Sequence, residues 1–211
     1  MKIQNWDGKK IPLDHDAIYG QLKYHLLTAP KEKMFPGMAM RPMFEFILKS
    51  LHHTTGLIGA EIGVHVARNS YNIATLLPIQ KLYLIDPYGA YTQDGVATNL
   101  ENTNTKYIEQ IAHKRMRRFG DKIVWIKDYS SNATNRLPDN LDFVYIDGNH
   151  EYVFVMEDIE LYYPKVRKGG VIGGHDFDGS NRGVARASIE FADKHHLELL
   201  GGKIDWFIVK E

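Results

Sequence analysis

From Gly56 onward, short β-branched or aromatic runs alternate with longer stretches whose apolar residues recur at helical spacing. That alternation folds into a mainly parallel sheet with helices on both faces. Largely apolar runs predict strands at 57–62, 81–85, 122–126, 141–146 and 170–174, each ending at small or acidic residues. Between the last two, Tyr152, Val155, Met156, Ile159, Tyr162 and Tyr163 predict a helix packed on the sheet, with Glu157, Asp158 and Glu160 assigned to its other side. The tail breaks the pattern, because 197–200 and 206–209 are joined by too few residues for a helical crossover. An antiparallel hairpin at the sheet edge is expected there. Upstream, helices are expected at 14–27 and 41–53, separated by Pro30, Pro36 and Gly37. Residues 1–55 therefore read as a helical cap or lid, and 56–211 as one doubly wound α/β domain.

Composition narrows the function. A chain of 211 residues that is 44% hydrophobic has material for a substantial core. Lys plus Arg and Asp plus Glu both number 26, so no overall field directs the molecule to nucleic acid or an anionic membrane, and recognition must be local. The absence of cysteine excludes disulfide scaffolds, thiolate metal sites and cysteine nucleophiles. Residues 1–10 lack the apolar segment of a secretory signal, and no run of about 18 apolar residues could span a bilayer. A cytoplasmic location is the default expectation.

The chemistry concentrates at strand ends. Gly59-Ala60-Glu61-Ile62-Gly63-Val64 closes the first strand and enters a helix, the place where open α/β sheets bind nucleotide-like ligands. Gly63 permits close backbone approach, and Asp86, ending the second strand, is placed to accept the hydroxyls of a ribose. A dinucleotide is disfavoured, since its pyrophosphate turn requires G-x-G-x-x-G and this turn offers only Gly59 and Gly63. With Glu61 beside it, the turn suits a cationic sulfonium cofactor better than a phosphate. The alternative is that Gly63 is a packing glycine and Asp86 a helix cap.

A second concentration follows in Ile146-Asp147-Gly148-Asn149-His150 and Gly174-His175-Asp176. Adjacent strand ends would bring Asp147, His175 and Asp176 together as oxygen and imidazole ligands for one divalent cation, Mg²⁺ or Mn²⁺ before zinc. His150 stands on the same rim. Taken singly, Asp147 could cap a helix and either histidine could be solvent-exposed.

Glu61-Ile62-Gly63-Val64, Leu84-Ile85-Asp86-Pro87-Tyr88, Ile146-Asp147-Gly148-Asn149-His150 and Gly169-Gly170-Val171-Ile172-Gly173-Gly174-His175-Asp176 resemble the successive motifs of class I S-adenosylmethionine-dependent methyltransferases. The last two are similar to those of the metal-dependent small-molecule O-methyltransferases, including catechol and macrolide-sugar enzymes. The resemblance implies a Rossmann-like seven-stranded sheet with a reversed last strand. It also implies S-adenosylmethionine at the first two strand ends, with Glu61 and Gly63 facing its methionine part, Asp86 its ribose and Ser130 its adenine. Asp147, Asp176 and His175 match cation-ligand positions, and His150 matches a general base. The chain departs from the family pattern at Ala67, where a second glycine is usual, and at Asp128-Tyr129-Ser130, where Gly-Asp-Ser is usual.

The implied reaction moves a methyl group onto a small hydroxylated acceptor such as a sugar or phenol. A metal-independent methyltransferase and a noncatalytic binding module remain as alternatives. The basic run His113-Lys114-Arg115-Met116-Arg117-Arg118 raises nucleic acid as a partner, but a solvated helix end accounts for it better. A homo-oligomer stays open.

Overall fold

The computed structural model describes residues 3–5, 40–50, 56–89, 92–93, 96–97, 105–178, 181–202 and 204–211. In chain order the elements are β1 (Ile3–Asn5), α1 (Pro42–Ser50), β2 (Leu57–Ile62), α2 (Arg68–Leu76), β3 (Ile79–Ile85), β4 (Thr92–Gln93), β5 (Val96–Ala97), α3 (Thr105–Met116), β6 (Ile123–Ile126), α4 (Ser130–Ala133), β7 (Leu141–Ile146), α5 (Tyr152–Tyr162), β8 (Val166–Gly174), α6 (Arg182–Lys194), β9 (Leu199–Gly202) and β10 (Asp205–Val209). The expected helix at 14–27 and the Pro30–Gly37 connection lie outside the described residues, as do positions 51–53 of the second expected helix.

All five expected parallel strands form, in the order β8-β7-β2-β3-β6. The C-terminal hairpin forms too. Its second strand, β10, inserts between β8 and β9 and runs antiparallel to both. These seven strands are the sheet expected from the motifs. An eighth, β1, adds parallel to β9, so the N-terminal segment contributes a sheet strand as well as α1. The outer edge of β9 would otherwise present unpaired backbone groups, and β1 pairs with them.

Helices cover both faces because both faces of the central strands are apolar. All six residues of β7 are buried. On one face Val144, Ile146 and Ile172 pack with Val155 and Ile159 of α5 and Phe191 of α6. On the other, Phe143, Tyr145 and Phe207 meet Phe44 and Ile47 of α1, Ile73 of α2 and Ile108 of α3. Among the described residues no helix is long and apolar enough to cross a membrane.

Register sets the geometry of the rim. Ile62 pairs with both Ile85 and Ile146, Ile85 with Ile126, and Ile146 with Gly174. Five strands therefore stop at one level, and the residues just beyond four of them, Gly63, Asp86, Asp147 and His175, are carried to the same edge of the sheet.

Candidate active site

Gly63 adopts φ +82°, and a Cβ placed on it would lie 2.0 Å from the Asp147 carbonyl oxygen. Both the left-handed backbone and the contact require glycine. The first-strand turn and the Asp147 loop thus approach each other as no other residue would allow. Asp86 anchors this turn from the next strand: its Oδ2 accepts the amides of Val64 and His65 at 2.9 and 2.8 Å, and its Oδ1 accepts that of Tyr88 at 2.7 Å. His65, Ala67 and Tyr88 all have positive φ, a conformation costly for residues with a Cβ, so the carboxylate holds a strained loop in place.

Beyond this turn opens a cleft of about 750 Å³. Gly63, Asp86, Ser130 and Asp147 line it, bringing together residues from four strand ends. Glu61 does not line it. Its side chain is 1% exposed and accepts hydrogen bonds from Asn69 Nδ2 at 2.9 Å and from Ser70 Oγ, at the start of α2 below the turn. Burial pushes its carboxyl up to about 8, against the lowering effect of those two bonds.

At the β7 and β8 ends the cleft meets a cluster of carboxylates and imidazoles. One ligand atom from each of Asp147, His175 and Asp176 lies within 4.8 Å of the others. His175 Nδ1 is 3.1 Å from Asp176 Oδ2 and 3.7 Å from Asp147 Oδ1. His150 joins them, with Nε2 3.0 Å from the same Asp176 oxygen. Burial pushes Asp147 up to about 6, offset in part by His175 and Arg41. For Asp176, burial acts upward but hydrogen bonds from His150 and His175 prevail and hold it well below the usual carboxylate range. The same hydrogen bond raises His150 above an ordinary imidazole.

Behind the cluster lies a buried polar group that the sequence did not reveal. Arg41, just before α1, donates through Nη1 to Asp205 Oδ1 at 3.1 Å, and the Tyr145 hydroxyl donates to the same oxygen at 3.2 Å. Asp205 is fully buried, and the field of Arg41 reaches Asp147. No periodicity could pair positions 41 and 205, because only the sheet brings them together.

Asp158 is the other residue missed, and its placement corrects the expectation for α5. Val155, Asp158, Ile159 and Tyr162 form one buried stripe, so Asp158 faces inward at 3% exposure and lines the cleft. Its spacing of three from Val155 and four to Tyr162 is the helical signal that its acidic character overrode. The basic run at the end of α3 is partly engaged: Arg115 donates to the Val66 carbonyl, and Arg118 to the Tyr71 hydroxyl at 2.9 Å.

The profile of a family described as "Methyltransferase domain" matches residues 58–177, the segment that builds the cleft. The chain belongs to that family, and its architecture is that of the class I S-adenosylmethionine-dependent methyltransferases. The solved O-methyltransferase NovP aligns with a TM-score of 0.59 at 15% identity, covering 80% of this chain and 76% of that one. CalS11, a TDP-rhamnose 3'-O-methyltransferase of calicheamicin biosynthesis, aligns with a TM-score of 0.55 at 13% identity over 79% of this chain and 76% of that one. MycE, a methyltransferase from the mycinamycin pathway in complex with Mg and SAH, aligns at 0.51 and 14% identity, over 79% of this chain and 49% of that one. In sequence, an uncharacterized protein, R132 of Acanthamoeba polyphaga mimivirus, is 38% identical over 63 residues, and the match spans 28% of each chain.

Proposed function

We propose that the chain transfers the methyl group of S-adenosylmethionine to a hydroxyl of a small acceptor, a sugar or phenol, held where the cleft meets Asp147, with a divalent cation as helper. The observation that carries this is the convergence of Asp147, His175 and Asp176 within 4.8 Å at the cleft end. Two carboxylates and an imidazole, all partly accessible, fit a hard divalent cation such as Mg²⁺. The Mg in the MycE complex and the sugar acceptor named for CalS11 support the same reading.

Bound there, the cation would supply a Lewis acid that lowers the pKa of an acceptor hydroxyl. The protein's own groups do the rest. Asp86, with Oδ1 engaged by a single amide, keeps capacity to accept a ribose hydroxyl. Gly63 gives the cofactor's amino-acid part access to the turn, Glu61 supports that turn from beneath, and Ser130 stands at the adenine end. His150, whose Nε2–H is held by Asp176 at 3.0 Å, takes the acceptor proton on its other ring nitrogen, Nδ1, and Asp176 stabilises the imidazolium that results. Methyl transfer is an in-line displacement, so holding acceptor oxygen, methyl carbon and sulfur in line is the main contribution of the cleft.

The direct His150–Asp176 contact also favours a second reading, metal-independent transfer, in which the pair deprotonates the acceptor unaided. To the first reading belong the division into a cap, 1–55, and a catalytic domain, 56–211, a cytoplasmic location, and a small molecule, not nucleic acid, as partner. The test is transfer of labelled methyl from S-adenosylmethionine to a panel of sugars and phenols, with Mg²⁺ and with chelator. Activity abolished by chelator and restored by Mg²⁺ is expected. Unchanged turnover in chelator leaves the metal-independent reading, and no transfer to any hydroxylated acceptor refutes both.

A further inference from the structure

Asp205, at the start of β10, is fully buried, and one of its carboxylate oxygens, Oδ2, has no hydrogen-bond partner among the described residues. The other, Oδ1, is filled by Arg41 Nη1 at 3.1 Å and by the Tyr145 hydroxyl at 3.2 Å. A buried acceptor left open is costly, so a donor is needed at Oδ2 in the working protein. Arg41 Nε is also unpartnered, but it lies on the side of the guanidinium away from Nη1 and so away from this carboxylate.

Register names the donor. Trp206 pairs with Gly174 in the antiparallel ladder of β10 and β8, so one residue further along Asp205 stands opposite His175. On the other side of β8, Ile146 pairs with Gly174, so Asp147 follows beside His175. Side chains alternate along each strand, so Asp147, His175 and Asp205 share the face of Tyr145, Val171 and Phe207, the face that α1 covers. Directly opposed residues on one face stand about 4.5–5.5 Å apart at Cβ. The His175 imidazole is thus set among carboxylates, with Nδ1 3.7 Å from Asp147 Oδ1 and 3.1 Å from Asp176 Oδ2. Burial pushes the Asp205 carboxyl up, and the charges of Arg41 and His175 act against it, which puts His175 within its field.

We propose that Asp205 is the positioning residue for His175: its Oδ2 accepts the Nε2–H of the imidazole, leaving Nδ1 unprotonated toward the cation shared with Asp147 and Asp176. This rests on the divalent-cation reading above and names the group that prepares the histidine for it. In the structure Nδ1 donates to Asp176. As a ligand Nδ1 must offer its lone pair, so the single proton of the neutral ring belongs on Nε2. Arg41 and Tyr145, both donors, hold Oδ1 and keep the carboxylate oriented. A ligating histidine whose other N–H meets a carboxylate is fixed in tautomer and ring angle, and loss of that carboxylate weakens metal binding by about 10- to 100-fold.

The experiment is a double-mutant cycle read as Mn²⁺ affinity, by calorimetric titration of the full chain as wild type, Asp205→Asn, His175→Ala and the double variant. In Asp205→Asn the amide oxygen keeps the bonds from Arg41 and Tyr145, and its NH₂ group meets His175 as a donor where an acceptor stood, favouring the wrong tautomer. That variant should bind Mn²⁺ about 10- to 100-fold more weakly than wild type, and the double variant within about threefold of His175→Ala. An equal fold-loss in both backgrounds makes Asp205 a neighbouring charge only, and unchanged affinity in folded Asp205→Asn makes it only the anchor of α1. Either result overturns the proposal and leaves the cation reading standing. A folded wild type that binds no Mn²⁺ overturns both. Should Asp205→Asn not fold, or His175→Ala not bind, nitrogen NMR of the wild type saturated with diamagnetic Mg²⁺ decides. The His175 signals, assigned by their loss in His175→Ala, should show Nε2 protonated with slowed exchange and Nδ1 bare, whereas a proton on Nδ1 overturns the assignment.

Discussion

Replacing Glu61 with glutamine should stabilise the protein at alkaline pH and do little at acid pH. Glu61 is 1% exposed, and its carboxyl rises from an ordinary 4.5 to about 8 on folding. The folded state therefore holds the proton more tightly than the unfolded chain. No penalty exists below the unfolded value; above it stability falls as pH rises, and the loss levels off above the folded value. Between pH 5 and 8.5 the accumulated cost to the wild type is about 2 to 4 kcal/mol, taking ~1.4 kcal/mol per pKa unit and discounting for the neighbouring charges of Asp147 and Arg41. Glutamine carries no titrating charge and can still accept from Asn69. The assay is urea unfolding of both proteins at pH 5 and at pH 8.5, comparing the difference in unfolding free energy so that all other titrating groups cancel. A gap that widens toward alkaline pH in favour of Glu61→Gln is expected. A gap that is constant with pH, or that closes, would show Glu61 to be ionised in the fold and refute the account of its burial.

Three further outcomes follow from the rim. Gly63→Ala should cost about 3 kcal/mol or more in denaturant unfolding, since its Cβ would lie 2.0 Å from the Asp147 carbonyl at a left-handed backbone position, and a variant as stable as wild type would show that the two loops separate freely. Asp86→Ala releases the amides of Val64, His65 and Tyr88, so hydrogen exchange at those amides should accelerate along with weaker S-adenosylhomocysteine binding, whereas intact protection would contradict the anchoring role. His150→Ala should lower kcat by about 10² to 10⁴ with little change in cofactor affinity. Because Asp176 raises the His150 pKa, the wild-type rate should climb with pH as the imidazole loses its proton, and a flat profile near neutrality would remove His150 from the proton transfer.

Much of this molecule was written locally. Buried strands are apolar on both faces, so runs such as 141–146 declared themselves, and the short spacing between 197–200 and 206–209 required a reversal of direction. The strand-end residues Gly63, Asp86, Asp147 and His175 were legible for the same reason: an α/β sheet delivers strand ends to one edge, and polar residues at the close of apolar runs stand out. What the chain could not declare were relations between distant positions. Nothing local says that β10 enters between β8 and β9, or that β1 pairs with β9 at the edge. The Arg41–Asp205–Tyr145 group exists only because α1 packs against β8 and β10, and Asp158 reads as an exposed acid until the packing of α5 turns its stripe inward. Glu61 shows the division most sharply, since its position in the turn was plain from sequence. Whether it met the ligand or supported the loop depended on Asn69 and Ser70 at the start of α2, which only the folded chain brings to its carboxyl oxygens.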